Sequence, residues 1–306
     1  MPKVYWFTAF GGPEAESFAE VPRPVPGPGQ LLVSVRVAGV NPADWKQRTG
    51  HMSIGAAATE LPAVFGREVA GVVEEIGEGV TGFAVGDAVF GNPVTGAYAE
   101  YTLLPVTIAA HKPDALSWRE AAVLPVAAAT AYDGIAQLDL PKGATLLVNG
   151  VGGGVGVAAA QIARHLGLTV VGTASAAKKD FVASLGAVHV PSGPGVADRV
   201  RAAAPGGIDG LFDLVGGDSL RELAALLPDR SRLISGADRT VVAELGGAPV
   251  ARKRDAEVLE AVAELAVAGV LDPHISAVFP FTAADRALRA VEDGHTQGKI
   301  VIEFDA

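Results

Sequence analysis

The apolar positions of this chain change their rhythm about a third of the way along. Up to that point the apolar runs are short, bounded by glycine and proline, and show no helical period. Residues 1–10 read as a first strand ending in the turn Phe10-Gly11-Gly12-Pro13. Residues 21–30 (VPRPVPGPGQ) hold four prolines and two glycines, which predicts an extended loop. Leu31–Val40 follows as a strand, Asn41-Pro42-Ala43-Asp44-Trp45-Lys46 opens a short helix, and 50–62 is a Gly/Ala-rich loop. Strands at Val69–Ile76, within GEGVTGFAVGDAVFG and within GAYAEYTLLP complete a small antiparallel, barrel-like domain. Ser117-Trp118-Arg119-Glu120 is a capping box that starts an Ala-rich helix. The domain boundary is expected near Ala121.

From there strands and helices alternate, which predicts a doubly wound parallel sheet. The centre of that half is PKGATLLVNGVGGGVGVAAAQIARHLGLTVVGTAS, residues 141–175. Ala144–Val148 has the length of a buried parallel strand, and glycines crowd the following turn at Gly150, Gly152, Gly153, Gly154 and Gly156. Val155–Leu166 has helical spacing, Gly167 supplies a C-cap, and Leu168–Gly172 is a second buried strand. Further strands are expected at 188–190, 210–215 and 231–236, with an amphipathic helix at 256–268. After Gly269 come a strand at 275–281, a helix at 283–292 and a last strand at 299–304, a tail expected to return to the first domain.

Strand, glycine turn, helix and strand make one mononucleotide-binding unit. A pyrophosphate is held by free backbone N–H groups at a helix N-terminus, so side chains on the turn would keep it away. The small residue at Gly156 lets helix and strand pack closely. A glycine turn also joins strands to helices without any ligand, but here the full flanking context is present. An NAD site usually has a carboxylate at the end of the second strand. This chain has Thr173, Ala174 and Ser175 there, then Lys178 and Lys179, and no acid before Asp180. A hydroxyl with lysines suits the 2′-phosphate of NADP, which an aspartate would repel; alternatively the two lysines decorate a solvated helix start.

Composition narrows the class. The 306 residues suffice for two domains, and 49% hydrophobic content with no membrane-length apolar run describes an Ala/Val/Leu-rich soluble protein. No secretion signal is visible at the N-terminus, and a cytoplasmic location is expected. The absence of cysteine excludes disulfides, thiolate catalysis and cysteine-ligated metal, and a net charge of −10 argues against a general nucleic-acid surface.

Several long segments in order resemble the medium-chain dehydrogenase/reductase superfamily, and within it the zinc-free quinone oxidoreductases related to zeta-crystallin. They are FGGPE at 10–14, AGVNPADWK at 38–46, REVAGVVEEIGEGVTGFAVGDAVFG at 67–91, GAYAEY at 96–101, LPVAAATAYDGI at 124–135, the glycine stretch, and GHTQGKIVI at 294–302. The resemblance implies a GroES-like catalytic domain at 1–121, completed by 270–306, and a Rossmann domain at 122–269. Zinc-dependent relatives have a cysteine where Asn41 stands and Gly-His-Glu where this chain has Gly66-Arg67-Glu68, so no zinc is expected.

Without zinc the reaction implied is hydride transfer from NADPH to an acceptor that is already electrophilic: a quinone, or an enone or enal. Asn41 is the first candidate to hydrogen-bond the acceptor carbonyl or the nicotinamide carboxamide. Asp44 either holds the loop or Lys46, serves the helix N-terminus, or takes part in catalysis. Lys46 stands where relatives often have a tyrosine, which leaves solvent as a source of the product's proton. Thr130 matches a threonine beside the nicotinamide; a hydroxyl bonded to its own helix is the other reading. Val215 and Gly216 match positions along the adenosine half, and Ser235 and Gly236 end a strand at the ligand-binding edge of the sheet. Lys299 either approaches the cofactor or is a surface cation.

Trp6, Phe10, Trp45, Met52, Ile54, Phe65 and Tyr98 are either pocket wall or core. The run Arg252-Lys253-Arg254 is a solvated face or a second phosphate contact. The family implies a homodimer. A third function class is a nucleotide-binding protein without turnover.

Overall fold

Strands β1 (Lys3–Phe7) and β2 (Glu16–Glu20) pair antiparallel on either side of the predicted glycine-proline turn. The computed structural model describes residues 1–50, 59–294 and 296–305. By its internal contacts the chain forms two compact units: Met1–Val126 with Arg254–Val267 and Ile275–Ala306, and Ala127–Lys253 with Ala268–His274.

In the first unit the proline-rich stretch, poor in backbone donors, stays irregular, and a long strand begins after it: β3 (Gln30–Val40). Helix α1 (Pro42–Arg48) opens with Asn41 as N-cap and Pro42 at its first turn; Asp44 Oδ2 accepts the Asn41 backbone N–H at 2.9 Å. The strands β4 (Ala63–Val64), β5 (Val69–Ile76), β6 (Ala88–Gly91), β7 (Tyr101–Pro105) and β8 (Ala109–His111) follow. β3 pairs antiparallel with β5 and with β7, β5 with β6, and β6 with β8. Under this half lies an aromatic and aliphatic core of Tyr5, Phe7, Val35, Phe65, Val69 and Tyr98.

Helix α2 (Trp118–Ala122) starts at the expected capping box, with Ser117 accepting from the Glu120 N–H. It does not run on as one Ala-rich helix. Pro125 lacks an N–H, and a π-helical turn at Leu124–Ala128 separates α2 from α3 (Ala129–Leu138).

The second unit is a six-stranded parallel sheet. Its elements are β9 (Thr145–Asn149), α4 (Gly154–His165), β10 (Thr169–Ala174), α5 (Lys179–Ser184), β11 (Val188–Pro191), α6 (Val196–Ala203), β12 (Gly210–Asp213), α7 (Gly217–Ala224), β13 (Leu233–Ser235), α8 (Arg239–Glu244) and β14 (Ala248–Pro249). The strand order is β11-β10-β9-β12-β13-β14, so the chain reverses direction between β9 and β12. Gly167 ends α4 at φ 82 in a Schellman arrangement, its N–H on the Arg164 carbonyl and the Leu168 N–H on that of Ala163.

The tail carries α9 (Ala256–Val267), β15 (Ile275–Pro280), α10 (Ala284–Glu292) and β16 (Lys299–Glu303). β16 pairs antiparallel with β3 and parallel with β15, adding two strands to the first unit's sheet. Helix α9, read as part of the nucleotide-binding half, instead packs its buried Val258, Leu259 and Val262 within the first unit. In that same unit Arg48, buried on α1, is ion-paired with Glu16 and Glu292, and Arg289 joins both carboxylates. No described helix is long and apolar enough to cross a membrane.

Candidate functional site

Four adjacent parallel strands of the second unit carry a polar residue at, or one position before, their carboxyl ends, and the register sets those residues side by side. Thr173 is level with Asn149, Asn149 with Asp213, and Asp213 with Ser235. All four are buried to within 1% of full coverage. Thr173 Oγ1 donates to Asn149 Oδ1 at 2.6 Å, Asn149 Nδ2 to Asp213 Oδ1 at 2.7 Å, and Ser235 Oγ to Asp213 Oδ2 at 2.6 Å. The row then turns outward to the loops. Thr173 Oγ1 accepts the Gly150 N–H, Asp213 accepts those of Val215 and Gly216, and Ser235 Oγ accepts those of Ala237 and Asp238. One buried ladder therefore fixes three loops at the carboxyl edge of the sheet, where open α/β folds bind ligands.

The glycine turn is the most stripped of these loops. Gly150 needs its glycine, at φ 91. A Cβ on Gly156 would lie 2.4 Å from the Gly150 carbonyl oxygen, so α4 could not approach the strand with any larger residue. Gly153, the N-cap of α4, is different: an added Cβ would meet nothing nearer than 3.8 Å, and no side chain caps the helix. The first-turn amides of Gly154, Val155 and Gly156 have no acceptor within the helix, by the geometry of any helix start. Open space in front of an uncapped helix N-terminus fits a pyrophosphate.

Two side chains border the turn. The Lys178 chain lies against Gly152, with its Cδ 2.7 Å and its ammonium nitrogen 3.4 Å from where a Cβ would stand. Burial pulls its pKa down, which marks a lysine drawn partly out of water rather than one decorating a solvated helix. On the other side Val215, an apolar residue 56% exposed, has Cγ2 3.0 Å from the Cβ position of Gly150. Ser175 is exposed just beyond β10, and Gly236 is exposed just beyond β13.

Other expectations are corrected. Thr173 and Ser235 are ladder members, covered from solvent, rather than open cofactor contacts. The hydroxyl of Thr130 accepts from Arg252, whose Nε is 3.0 Å from the Asp133 carboxylate. Arg252 is thus clipped to α3 and is not part of a solvated charge run.

In the first unit the polar cluster around α1 is equally ordered. Lys299 is not a surface cation: 3% exposed, its ammonium donates to Glu68 Oε1 at 2.8 Å, Asn41 Oδ1 at 2.7 Å and the Val40 carbonyl at 3.0 Å. Asn41 is engaged at both ends of its amide, because Nδ2 donates to Glu68 Oε1 at 2.9 Å. It bridges an ion pair rather than offering an open donor. Glu68 Oε2 accepts the Val126 N–H.

Asp44 is fully buried and holds the loop, not Lys46, whose ammonium sits 5.7 Å from the Trp45 ring centroid. Its Oδ2 also accepts the Tyr98 hydroxyl at 3.0 Å. Burial pushes the Asp44 carboxyl up to about 6, against the pull of Arg67. Burial, then the Asp44 charge, raises the Tyr98 phenol well above its usual value. Arg67 lies beside this pair, 14% exposed, its Nε 3.8 Å from Asp44 Oδ1. Sequence reading passed over Arg67, and its only signal was a cation standing where relatives place an imidazole.

Of the candidate pocket wall, Phe65 and Tyr98 are fully covered core residues, and Trp6 donates to Ser17. Phe10 is 50% exposed and Trp45 is partly buried against the core. Met52 and Ile54 lie outside the described residues. Among the described residues no group of three or more His, Asp or Glu could hold a metal ion.

Residues 27–114 match the alcohol dehydrogenase GroES-like domain, and residues 185–302 the zinc-binding dehydrogenase family. The quinone oxidoreductase of Rattus norvegicus is 34% identical over 74% of this chain and 70% of its own length. A 2-methylene-furan-3-one reductase of Solanum lycopersicum is 38% identical over 52% of this chain and 43% of its own. Matches to other relatives, polyketide synthases among them, likewise span less than two thirds of the relative. The solved structure of the quinone oxidoreductase from Coxiella burnetii superposes with a TM-score of 0.90 at 29% identity, covering 99% of both chains.

Proposed function

This chain belongs to the medium-chain dehydrogenase/reductase superfamily, among the quinone oxidoreductases, and from that premise we propose that it is an NADPH-dependent, zinc-independent reductase of quinones. The observation that carries the reading is the open, uncapped start of α4 with Lys178 laid against Gly152. The family's nicotinamide cofactor supplies a hydride with its electron pair. The residues of the second unit hold it. Gly152, Gly153, Gly154 and Val155 present backbone to the pyrophosphate, and Gly156 keeps the helix close. Ser175 and Lys178 meet the 2′-phosphate, where no carboxylate stands to repel it. Val215, Gly216 and Gly236 border the adenosine half, with Asp213 holding Val215 and Gly216 and Ser235 holding the loop after β13, while Thr173 holds Gly150 of the glycine turn; Thr130 lies on the nicotinamide side.

In the first unit Phe10 and Trp45 supply apolar surface for a flat conjugated acceptor. The buried Asn41–Glu68–Lys299 group acts at a distance, by fixing the start of α1. No side chain is assigned as proton donor, and solvent supplies the proton.

A second reading, reduction of an enone or enal double bond, is favoured by the similarity to the tomato furanone reductase. Rates of NADPH oxidation with a 1,4-quinone and with a conjugated enal separate the two. Turnover of the quinone at the higher kcat/KM supports the first reading, and turnover of the enal alone replaces it with the second. Tight NADPH binding with neither acceptor consumed indicates the non-catalytic class. A homodimer and a cytoplasmic location belong to the same proposal.

A further inference from the structure

Four buried side-chain polar atoms lack a hydrogen-bond partner among the described residues, and three of them belong to Asp44, Trp45 and Arg67. Buried groups in folded proteins are normally paired, so two exceptions 3.8 Å apart, Asp44 Oδ1 and Arg67 Nε, mark a place where something else completes the bonding. One of the two is a cation. Arg67 Nη2 makes one long hydrogen bond, 3.3 Å, to Gln47 Oε1. Its Nε is buried, and the nearest carboxylate oxygen, Asp44 Oδ1, stands at 3.8 Å, beyond hydrogen-bond reach.

The obvious counter-ion is committed elsewhere. Asp44 Oδ2 accepts both the Asn41 N–H and the Tyr98 hydroxyl, which hold the carboxyl facing Arg67 without closing on it. Burial lowers the pKa of Arg67 against the opposing pull of the Asp44 charge, and the like charge of Arg254 adds to the lowering. A guanidinium in that state is anchored but under-satisfied. It offers planar, directed N–H donors and keeps its proton, which suits it to receive an oxyanion and not to act as an acid.

Resting on the reductase reading, we propose that Arg67 binds the carbonyl oxygen of the acceptor and stabilises the negative charge that collects there during reduction. The hydride, carrying two electrons, adds to the conjugated acceptor. The displaced π pair moves onto the carbonyl oxygen, where the Arg67 N–H groups donate to it, and one solvent proton completes the reduced product. Asp44 is a positioning residue: its carboxylate, 3.8 Å from Nε, orients the guanidinium without taking up its N–H donors. The arrangement gives a metal-free chain an electrophile for the acceptor oxygen, a role in which one well-aimed donor is worth about a hundred-fold in rate.

The test uses Arg67→Ala and Arg67→Gln with a 1,4-quinone, measuring kcat/KM, NADPH affinity by fluorescence, and rescue by millimolar guanidinium. The proposal predicts that both variants lose about a hundred-fold or more in kcat/KM while NADPH affinity stays within about two-fold. Guanidinium should restore at least about ten-fold of the activity of Arg67→Ala and leave the wild type unchanged, an effect that a purely structural role would not produce. Activity within about three-fold of wild type in either folded variant overturns the assignment. So does a loss that guanidinium leaves untouched, or one matched by an equal loss of NADPH affinity. Should the wild type itself fail to oxidise NADPH with the quinone, the reductase reading falls, and this assignment with it.

Discussion

Asn149 donates its side-chain amide to the Asp213 carboxylate at 2.7 Å, across a sequence separation of 64 residues. The bond ties the strand before the glycine turn to β12, where the order of winding reverses, and it is the middle rung of the ladder beneath the loops at the sheet's carboxyl edge. Removing Asp213 strands the amide of Asn149 and the N–H groups of Val215 and Gly216. Asp213→Ala should cost about 2–4 kcal/mol, and Asp213→Asn about 1–3 kcal/mol, both with weakened NADPH binding. Chemical denaturation and fluorescence titration check this. An Asp213→Asn variant with wild-type stability and affinity would mean that the ladder is not what sets the loops.

Glycines of the turn should fail for different reasons. Gly156→Ala forces a Cβ against the backbone of Gly150 and Val151, so the fold should lose about 1–3 kcal/mol. Gly153→Ala meets open space at an extended backbone (φ −91, ψ 170), so stability should stay within about 0.5 kcal/mol. Its NADPH affinity should nonetheless fall about ten-fold or more, because the methyl stands before the helix start. Thermal melts with and without NADPH distinguish these outcomes.

Cofactor choice should reside in Lys178 and Ser175. A charged hydrogen bond to phosphate is worth about 1.5–3 kcal/mol, so Lys178→Ala should lower the kcat/KM for NADPH about ten-fold or more and leave that for NADH nearly unchanged. Ser175→Asp should reverse the preference. Equal losses with both cofactors in Lys178→Ala would place the lysine at the pyrophosphate instead.

The carboxyl of Asp44 carries a signed pH dependence. Its folded pKa, about 6, lies above the value of an unfolded aspartate, so between those values the folded state binds more protons. Asp44 therefore opposes folding increasingly as pH rises toward 6, with the full cost present above it. Relative to wild type, Asp44→Asn should gain stability by on the order of 2 kcal/mol between about pH 4 and pH 7. A difference that does not change with pH would show that the carboxyl titrates normally.

What the sequence disclosed and what it withheld follow from range. The glycine turn, the flanking strands, Gly167 and the capping box at Ser117 are legible because each is a short-range demand of the backbone on a nearby residue. The ladder is not, since Thr173, Asn149, Asp213 and Ser235 meet only through strand register. Each stands at or next to the end of an apolar strand, a regularity that a search for polar residues near strand ends would have found. Lys299 was misread because its local context, KIVIEF, says nothing of the Glu68 it pairs with across β3 and β5. For Phe65 and Tyr98 residue type alone leaves pocket wall and core both open, and the aromatic core claims them. The Ala-rich helix expected to start at Ser117 is interrupted at Pro125, which the capping box does not foretell.

The central claim is reduction of a quinone at the expense of NADPH, and steady-state loss of reduced cofactor with one 1,4-quinone, run side by side with NADPH and NADH, tests it most directly. The account predicts quinone-dependent oxidation with a kcat/KM for NADPH about ten-fold or more above that for NADH. Oxidation of neither cofactor, or an equal or greater rate with NADH, would contradict it.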